Sequence, residues 1–307
     1  MILIYQYEHG IGMMKLSLLM AFLTGWGLAL AQPMRVAATT GILADMVRNV
    51  GGSRVAVVQI VPDGTDPHSF EPRPSVVRAL GQARVLFANG LGLEPFFEKL
   101  EAQLPPKARI VELAEGMPNL IHSKDAHDHS ADHHSHGAFD PHLWLDPTYG
   151  IRYVEKIRQA LTEADPQGRG LYTQNAQRYI EQIRQADARV RSCMAVIPPE
   201  RRKLVSQHAS LAYFNRYYGL KSIGNIADFV GQERGPASLA RLAQAMRKEG
   251  VRVVFVEPQL AQGQARALAE ATGARIVRIY ADSFDQQVNT YLKLIEANGQ
   301  AVCQALR

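Results

Sequence analysis

Two trains of short β-branched runs, each run followed by an amphipathic stretch, flank about thirty residues of unbroken helical pattern. In the first train, Arg35–Ala38, Val55–Val61, Val85–Ala88 and Ile110–Leu113 read as strands, with helices over Ile42–Val50, Ser75–Leu80 and Glu94–Leu104. In the second, strands at Leu204–Ser206, Ser222–Ile226, Val251–Val256 and Arg275–Ile279 alternate with helices at Ala209–Tyr218, Pro236–Lys248, Ala261–Ala271 and Phe284–Leu306. Strands that alternate with helices pair in parallel, with the helices covering the sheet faces. Between the trains, Pro166 opens a helix whose apolar residues recur at Leu171, Tyr172, Tyr179, Ile180, Ile183 and Val190, until Pro198-Pro199 stops it. Such a helix spans about 45 Å, too long for one small lobe. The expected fold class is therefore α/β: two lobes, each with a mainly parallel sheet flanked by helices, joined by one long linking helix. The expected boundaries are 1–31 for a signal peptide, 32–165 for an N-terminal lobe, 166–197 for the linking helix and 198–307 for a C-terminal lobe.

The N-terminal boundary rests on export chemistry. Lys15 precedes an apolar run from Leu16 to Leu28, and Ala29-Leu30-Ala31 supplies a small-x-small cleavage site. Cleavage is expected after Ala31, and Met13 or Met14 makes the more ordinary start for such a signal. The run is short for a membrane span. No cysteine stands at the cleavage site, so a lipid anchor is not expected. The expected location is the periplasm. There, Cys193 and Cys303, the two cysteines of the chain, are either a disulfide or two buried thiols, and the oxidising compartment favours the bridge. The formal net charge is +5. Its Lys and Arg look scattered along the chain, and the densest run, Arg201-Arg202-Lys203, is short. A solvated surface is expected, with no nucleic-acid partner.

Four residues in the patterned regions carry ligand chemistry. His68 lies on a proline-stiffened loop after the strand ending near Val61, and His142 stands between Asp140-Pro141 and Leu143-Trp144-Leu145. His208 follows a strand and precedes a helix. Asp282 does the same, at a place where Asp is also a favoured N-cap. Each alone has a plainer reading: a turn histidine, a core histidine, a cap. Together they offer three imidazoles and one carboxylate, two from each lobe, at the carboxyl ends of strands where α/β sheets bind ligands. That is a tetrahedral donor set for Zn²⁺. Glu257, ending the strand Val253–Val256, is either a hydrogen-bond partner to one of these histidines or a packing residue. The segment 122–136 holds six more histidines (His122, His127, His129, His133, His134 and His136) among small polar residues with no hydrophobic period. It reads as a loop that is either a low-affinity metal trap or a solubilising insertion.

The motifs Gly64-Thr65-Asp66-Pro67-His68-Ser69-Phe70-Glu71-Pro72, Asp140-Pro141-His142-Leu143-Trp144-Leu145-Asp146-Pro147, His208 before Tyr213-Phe214 and Tyr218-Gly219-Leu220, and Tyr280-Ala281-Asp282-Ser283 resemble those of the zinc- and manganese-binding proteins of bacterial metal ABC importers. The resemblance covers essentially the whole chain after Ala31. It implies that His68, His142, His208 and Asp282 are metal ligands. It also implies a periplasmic solute-binding protein, monomeric and not an enzyme, that hands its ion to a permease and its ATPase, with a periplasmic zinc chaperone as a further partner. Manganese members tend to carry a carboxylate at the third ligand position and zinc members a histidine. Zinc members often carry a His-rich loop. Zn²⁺ is therefore the expected cargo, with a manganese-binding homologue as the alternative. One departure stands out: the family usually has an acidic residue directly after the third histidine, and this chain has Ala209. The rival class is a zinc hydrolase with an open coordination position, but no His-Glu-x-x-His helix and no Gly-x-Ser-x-Gly elbow is present.

Overall fold

The computed structural model describes residues 32–123, 138–227 and 235–307. The segment read as a signal peptide lies outside them, as do His127, His129, His133, His134 and His136.

The first sheet contains β1 (Met34–Ala38), β2 (Val55–Gln59), β3 (Val85–Ala88) and β4 (Arg109–Glu112) in the order β2-β1-β3-β4, all parallel. Helices α1 (Gly41–Gly51), α2 (Pro74–Leu80) and α3 (Phe97–Glu101) connect them. The second sheet repeats the arrangement: β5 (Lys203–Ser206), β6 (Lys221–Asn225), β7 (Val253–Val256) and β8 (Arg275–Arg278) lie parallel in the order β6-β5-β7-β8. Here α6 (Ala212–Tyr218), α7 (Pro236–Glu249) and α8 (Gly263–Thr272) are the connections, and α9 (Tyr291–Leu306) ends the chain. Gly250 and Gly273 close α7 and α8 with φ of 70° and 68°, a left-handed geometry that a side chain would strain.

Between the sheets run α4 (Pro147–Ala164), a 3₁₀ turn at Pro166–Gly168, and α5 (Arg169–Ala195). The 27 residues of α5 span about 40 Å. The helix packs on α1 and α4 of the first lobe and on α9 of the second, so it belongs to both. Its buried stripe (Tyr172, Ala176, Tyr179, Ile180, Ile183, Val190) continues one hydrophobic core across the molecule. Buried carboxylates fix its rotation. Asp45 of α1 accepts from Tyr179 Oη (2.9 Å) and from the Tyr291 amide (2.9 Å), and Asp187 of α5 accepts from Tyr217 and Tyr218 of α6. Arg54 grips Asp165 through two hydrogen bonds of 2.7 and 3.0 Å at the elbow before α5.

Three elements depart from the sequence reading. The overlooked helix α4 is capped by Asp146, whose side chain accepts from the Thr148 amide, with Pro147 in its first turn. The helix expected over Glu94–Leu104 shrinks to α3. The Glu94 side chain folds back to accept from the Asn89 and Gly90 amides and the Thr39 hydroxyl, which draws its residue into a turn. The last helix starts at Tyr291 rather than at Phe284, because Asp285 Oδ1 accepts from the Gln287 and Val288 amides and holds that stretch as a loop.

Cys193 of α5 and Cys303 of α9 are disulfide-bonded across a sequence separation of 110. Closing a loop of that length restricts the unfolded chain by about 4–5 kcal/mol in the chain-entropy description. Replacing both cysteines by serine is expected to lower the free energy of unfolding by up to that amount. Chemical denaturation measures the change, and an unchanged denaturation midpoint contradicts it.

Candidate metal centre

Three of the four candidate ligands, His68, His208 and Asp282, follow strands β2, β5 and β8 past their carboxyl ends, while His142 stands on the loop before α4. After β2, Ile60 and Val61 still donate to Ala38 and Thr39. The loop then turns through Asp66, whose Oδ1 accepts from the His68 amide at 3.0 Å and whose Oδ2 accepts from Ser69 Oγ at 2.6 Å. His142 sits just before a 3₁₀ turn at Leu143–Leu145. Asp140 Oδ1 takes both its amide (2.9 Å) and its Nδ1 (2.7 Å), and Asn89 Nδ2 donates to the Pro141 carbonyl (2.9 Å). His208 follows β5, where Ser206 Oγ donates to its carbonyl at 2.9 Å. Asp282 follows β8. Asn298 clamps the preceding Tyr280 at both its amide and its carbonyl, and Trp144 Nε1 donates to the Ala281 carbonyl at 2.8 Å across the lobe boundary. Asp282 caps no helix, since Thr290 fills that role for α9.

All four side chains meet. One donor atom from each lies within 4.8 Å of the others. His68 Nε2 is 3.3 Å from His142 Nε2 and 3.5 Å from Asp282 Oδ2. His142 Nε2 is 3.2 Å from Asp282 Oδ1, and His208 Nε2 is 3.3 Å from Asp282 Oδ2. A tetrahedron of donors about 2.0–2.1 Å from its centre has edges of about 3.3–3.4 Å; these four separations match it, and the remaining pairs lie within 4.8 Å. His142, His208 and Asp282 are buried, while the His68 side chain keeps 15% exposure. Both Asp282 oxygens and both His208 ring nitrogens are buried without an aligned hydrogen bond. Polar atoms in that condition are costly unless something satisfies them, and a cation would satisfy these.

The ring nitrogens that face away from the centre also have partners. His142 Nδ1 meets Asp140, and His208 Nδ1 lies 2.6 Å from Glu257 Oε1 at the end of β7. Glu257 is itself fixed by Gln207, which accepts from its amide, and by Gln259, which donates to Oε2. The acidic neighbour missing at Ala209 is thus supplied from another strand. Asp140 was not singled out from the sequence, although its place two residues before His142 was a visible signal. Outside the centre, His122 pairs with Phe139 in an antiparallel bridge, ring centroids 4.6 Å apart.

The electrostatics follow from this crowding. Burial opposes a charged His142, but Asp282 and Asp140 outweigh it and push the ring up to about 9. For His208, burial again opposes, and Glu257 and Asp282 raise it well above the usual imidazole range. Burial alone would raise Asp282. The facing imidazoles, His142 foremost, instead hold it well below the usual carboxylate range.

A family model described as zinc-uptake complex component A, periplasmic, matches residues 36–305. The chain belongs to that family. The manganese-binding lipoprotein MntA of Halalkalibacterium halodurans is 29% identical over 271 residues, covering 86% of each chain. The manganese-bound periplasmic metal-binding protein of Candidatus Liberibacter asiaticus superposes with a TM-score of 0.79 at 25% identity, covering 89% of this chain and 100% of that one. The periplasmic zinc-binding protein TroA of Treponema pallidum matches equally well, with a TM-score of 0.79 at 25% identity over 89% of this chain and 99% of its own. As a member of the zinc-uptake component family, the chain is a periplasmic metal-binding component of a metal ABC transporter, which works with a permease and an ATPase, and it is not an enzyme.

Imidazole binds a metal only when deprotonated. Metal-free His142 carries a proton at neutral pH, so loading releases at least one proton. Affinity is expected to rise with pH up to about 9, by roughly tenfold per pH unit for that ring alone. The stability of the metal-free protein runs the other way. The raised imidazole stabilises the fold fully below its ordinary value of 6.5, and that contribution is lost as pH rises through about 9. Calorimetric titration in buffers of different ionisation enthalpy measures the released protons, and a binding heat independent of buffer contradicts the assignment.

Proposed function

We propose that the ion is zinc, held by His68, His142, His208 and Asp282 in the seam between the lobes. The observation that carries this is the donor set itself: three imidazole nitrogens and one carboxylate within 4.8 Å of one another, with four of their separations at 3.2–3.5 Å. Nitrogen-rich tetrahedral surroundings suit Zn²⁺, whereas Mn²⁺ favours more oxygen donors. With four protein donors, no coordination position stands open for a reactive water. The second reading is manganese, favoured by the names of two of the relatives.

In the same reading the protein is exported after cleavage near Ala31, and residues 32–165 and 198–307 act as the two metal-binding lobes on the rigid helix 166–197. It works as a monomer that docks on the permease, with a periplasmic zinc chaperone as a further partner. The His-rich segment 122–136 gathers zinc weakly and passes it on. Support for that step is positional: Ile121 accepts from the Asp140 amide, so the segment springs from the stretch that leads directly into His142.

Zinc and manganese titrations of the purified protein test the assignment. Zinc is expected to bind one ion per chain and to displace manganese. His142→Ala is expected to lower zinc affinity by about a thousandfold or more while the protein remains folded. His208→Asp is expected to narrow the preference for zinc over manganese. Manganese binding as tight as zinc, or wild-type zinc affinity in His142→Ala, contradicts the proposal.

Glu257 and Asp140 orient their imidazoles from behind. Glu257→Gln and Asp140→Asn are each expected to weaken zinc binding by roughly 10–100-fold while the fold persists. A cobalt-substituted spectrum distinguishes a reoriented ligand from a lost one. Unchanged affinity in both variants leaves these carboxylates as packing residues.

A further inference from the structure

The basic residues, scattered along the sequence, are gathered in space. Over residues 198–307, Lys and Arg outnumber Asp and Glu by 15 to 9, whereas over residues 32–165 they are outnumbered 13 to 17. Parallel strands place all their amino ends at one pole of a sheet. In the second sheet every strand opens on a cation: Lys203 and Lys221 begin β5 and β6, Arg252 directly precedes β7, and Arg275 begins β8. Arg247 and Lys248 end α7 at the same pole, and Arg201 reaches the carbonyl of the C-terminal Arg307. Backbone hydrogen bonds from Lys221 to Arg202 and from Arg275 to Arg252 join these segments side by side.

In the first sheet the strands also begin near arginines, but there Arg54 is paired with Asp165 and Arg109 with Glu163, while Arg35 and Arg84 stand in a lobe whose acids outnumber its bases. At the second pole, the carboxylates of the same segments are Glu200 and Glu249, and Glu249 is taken by Lys203. Several of the cations answer helix carbonyls, as Arg202 does at the end of α5 and Arg247 at the end of α8. Lys221, Lys248 and Arg252 do not. All three side chains are exposed and donate no hydrogen bond among the described residues, although Lys203, with Lys221 and Lys248 close by, holds the Glu249 carboxyl below the usual range.

An independent observation marks the same pole. Among the described residues, the large hydrophobic side chains left exposed are Val196 at 60% and Ile276 at 38%. Val196 ends α5 beside Ile197, whose carbonyl receives Arg202, and Ile276 follows Arg275 on β8. Cations with apolar points among them are the chemistry that recognises an anionic phospholipid surface: the charges meet headgroup phosphates while the apolar groups enter the interface.

We propose that this pole of the C-terminal lobe docks on anionic phospholipid. The metal centre lies at the opposite, carboxyl end of the same strands, so docking holds the protein at a membrane with its binding seam turned toward the aqueous space from which ions arrive. This reaches beyond the zinc assignment and does not depend on which metal is bound.

The test is sedimentation of the exported, zinc-loaded protein with vesicles of phosphatidylcholine alone or with about one third phosphatidylglycerol. Binding is expected to the anionic vesicles only, and to be lost on raising the salt from about 0.1 M to about 1 M. Each cation near such a surface contributes roughly fivefold in partitioning. The combined variant Lys221→Glu, Lys248→Glu and Arg252→Glu is therefore expected to lose at least about a hundredfold, with zinc affinity and melting temperature unchanged. Arg35→Glu, Arg84→Glu and Lys107→Glu together change the net charge equally at the first lobe, and this variant is expected to keep most of the binding. Wild-type protein that ignores anionic vesicles, or equal losses in the two variants, overturns the proposal.

Discussion

Burying the carboxylate of Asp282 is the constraint around which the lobes are arranged. Its side chain is fully inaccessible, and an isolated buried carboxylate is prohibitively costly. It is sustained because three imidazoles from separate loops converge on it, two of them backed by further carboxylates. No single lobe holds all of these groups. The lobes must meet for the centre to exist, and once met they are sewn together around it. Trp144 donates to the Ala281 carbonyl, Tyr291 donates to the Trp144 carbonyl, and the Gly64 amide meets Ser283 and Phe284.

The helix α5 makes that meeting durable. One end is tied by the Arg54–Asp165 pair at its elbow and the other by the disulfide to α9. Between them, Tyr179 and Asp187 bond to both lobes. A helix held along its length on two sides has little freedom to act as an open hinge. His68, the ligand nearest solvent, lies on a loop that reaches the C-terminal lobe through Gly64.

Parallel sheets also give each lobe a polarity. The carboxyl ends carry the ligands, while the amino ends collect the backbone's negative helix termini and the cations that answer them. In the first lobe two of these cations, Arg54 and Arg109, are paired with acids and the acids outnumber the bases, whereas the second lobe keeps a surplus of cations. One topology thus separates the neutralising work of the metal centre from the attractive potential of the far pole.

Much of this was legible along the chain. The period of the apolar residues specified eight parallel strands and a linking helix because burial of a sheet face or a helix stripe leaves its mark on every few residues. His68, His142, His208 and Asp282 stood out because strand ends and proline-stiffened loops are local features. Less legible were the elements set by side chains reaching back: Glu94 shortening α3, Asp285 delaying α9 and Glu257 serving His208 across 49 positions of sequence. The clustering of charge was invisible, since four strand starts lie adjacent only after the sheet forms. Sequence by itself determined the fold class, the candidate metal donors and their division between the lobes, because these depend on local pattern and residue chemistry. Only the tertiary structure decided which carboxylate backs which imidazole and where the surplus cations gather, because both follow from distances between segments that the chain's order does not encode.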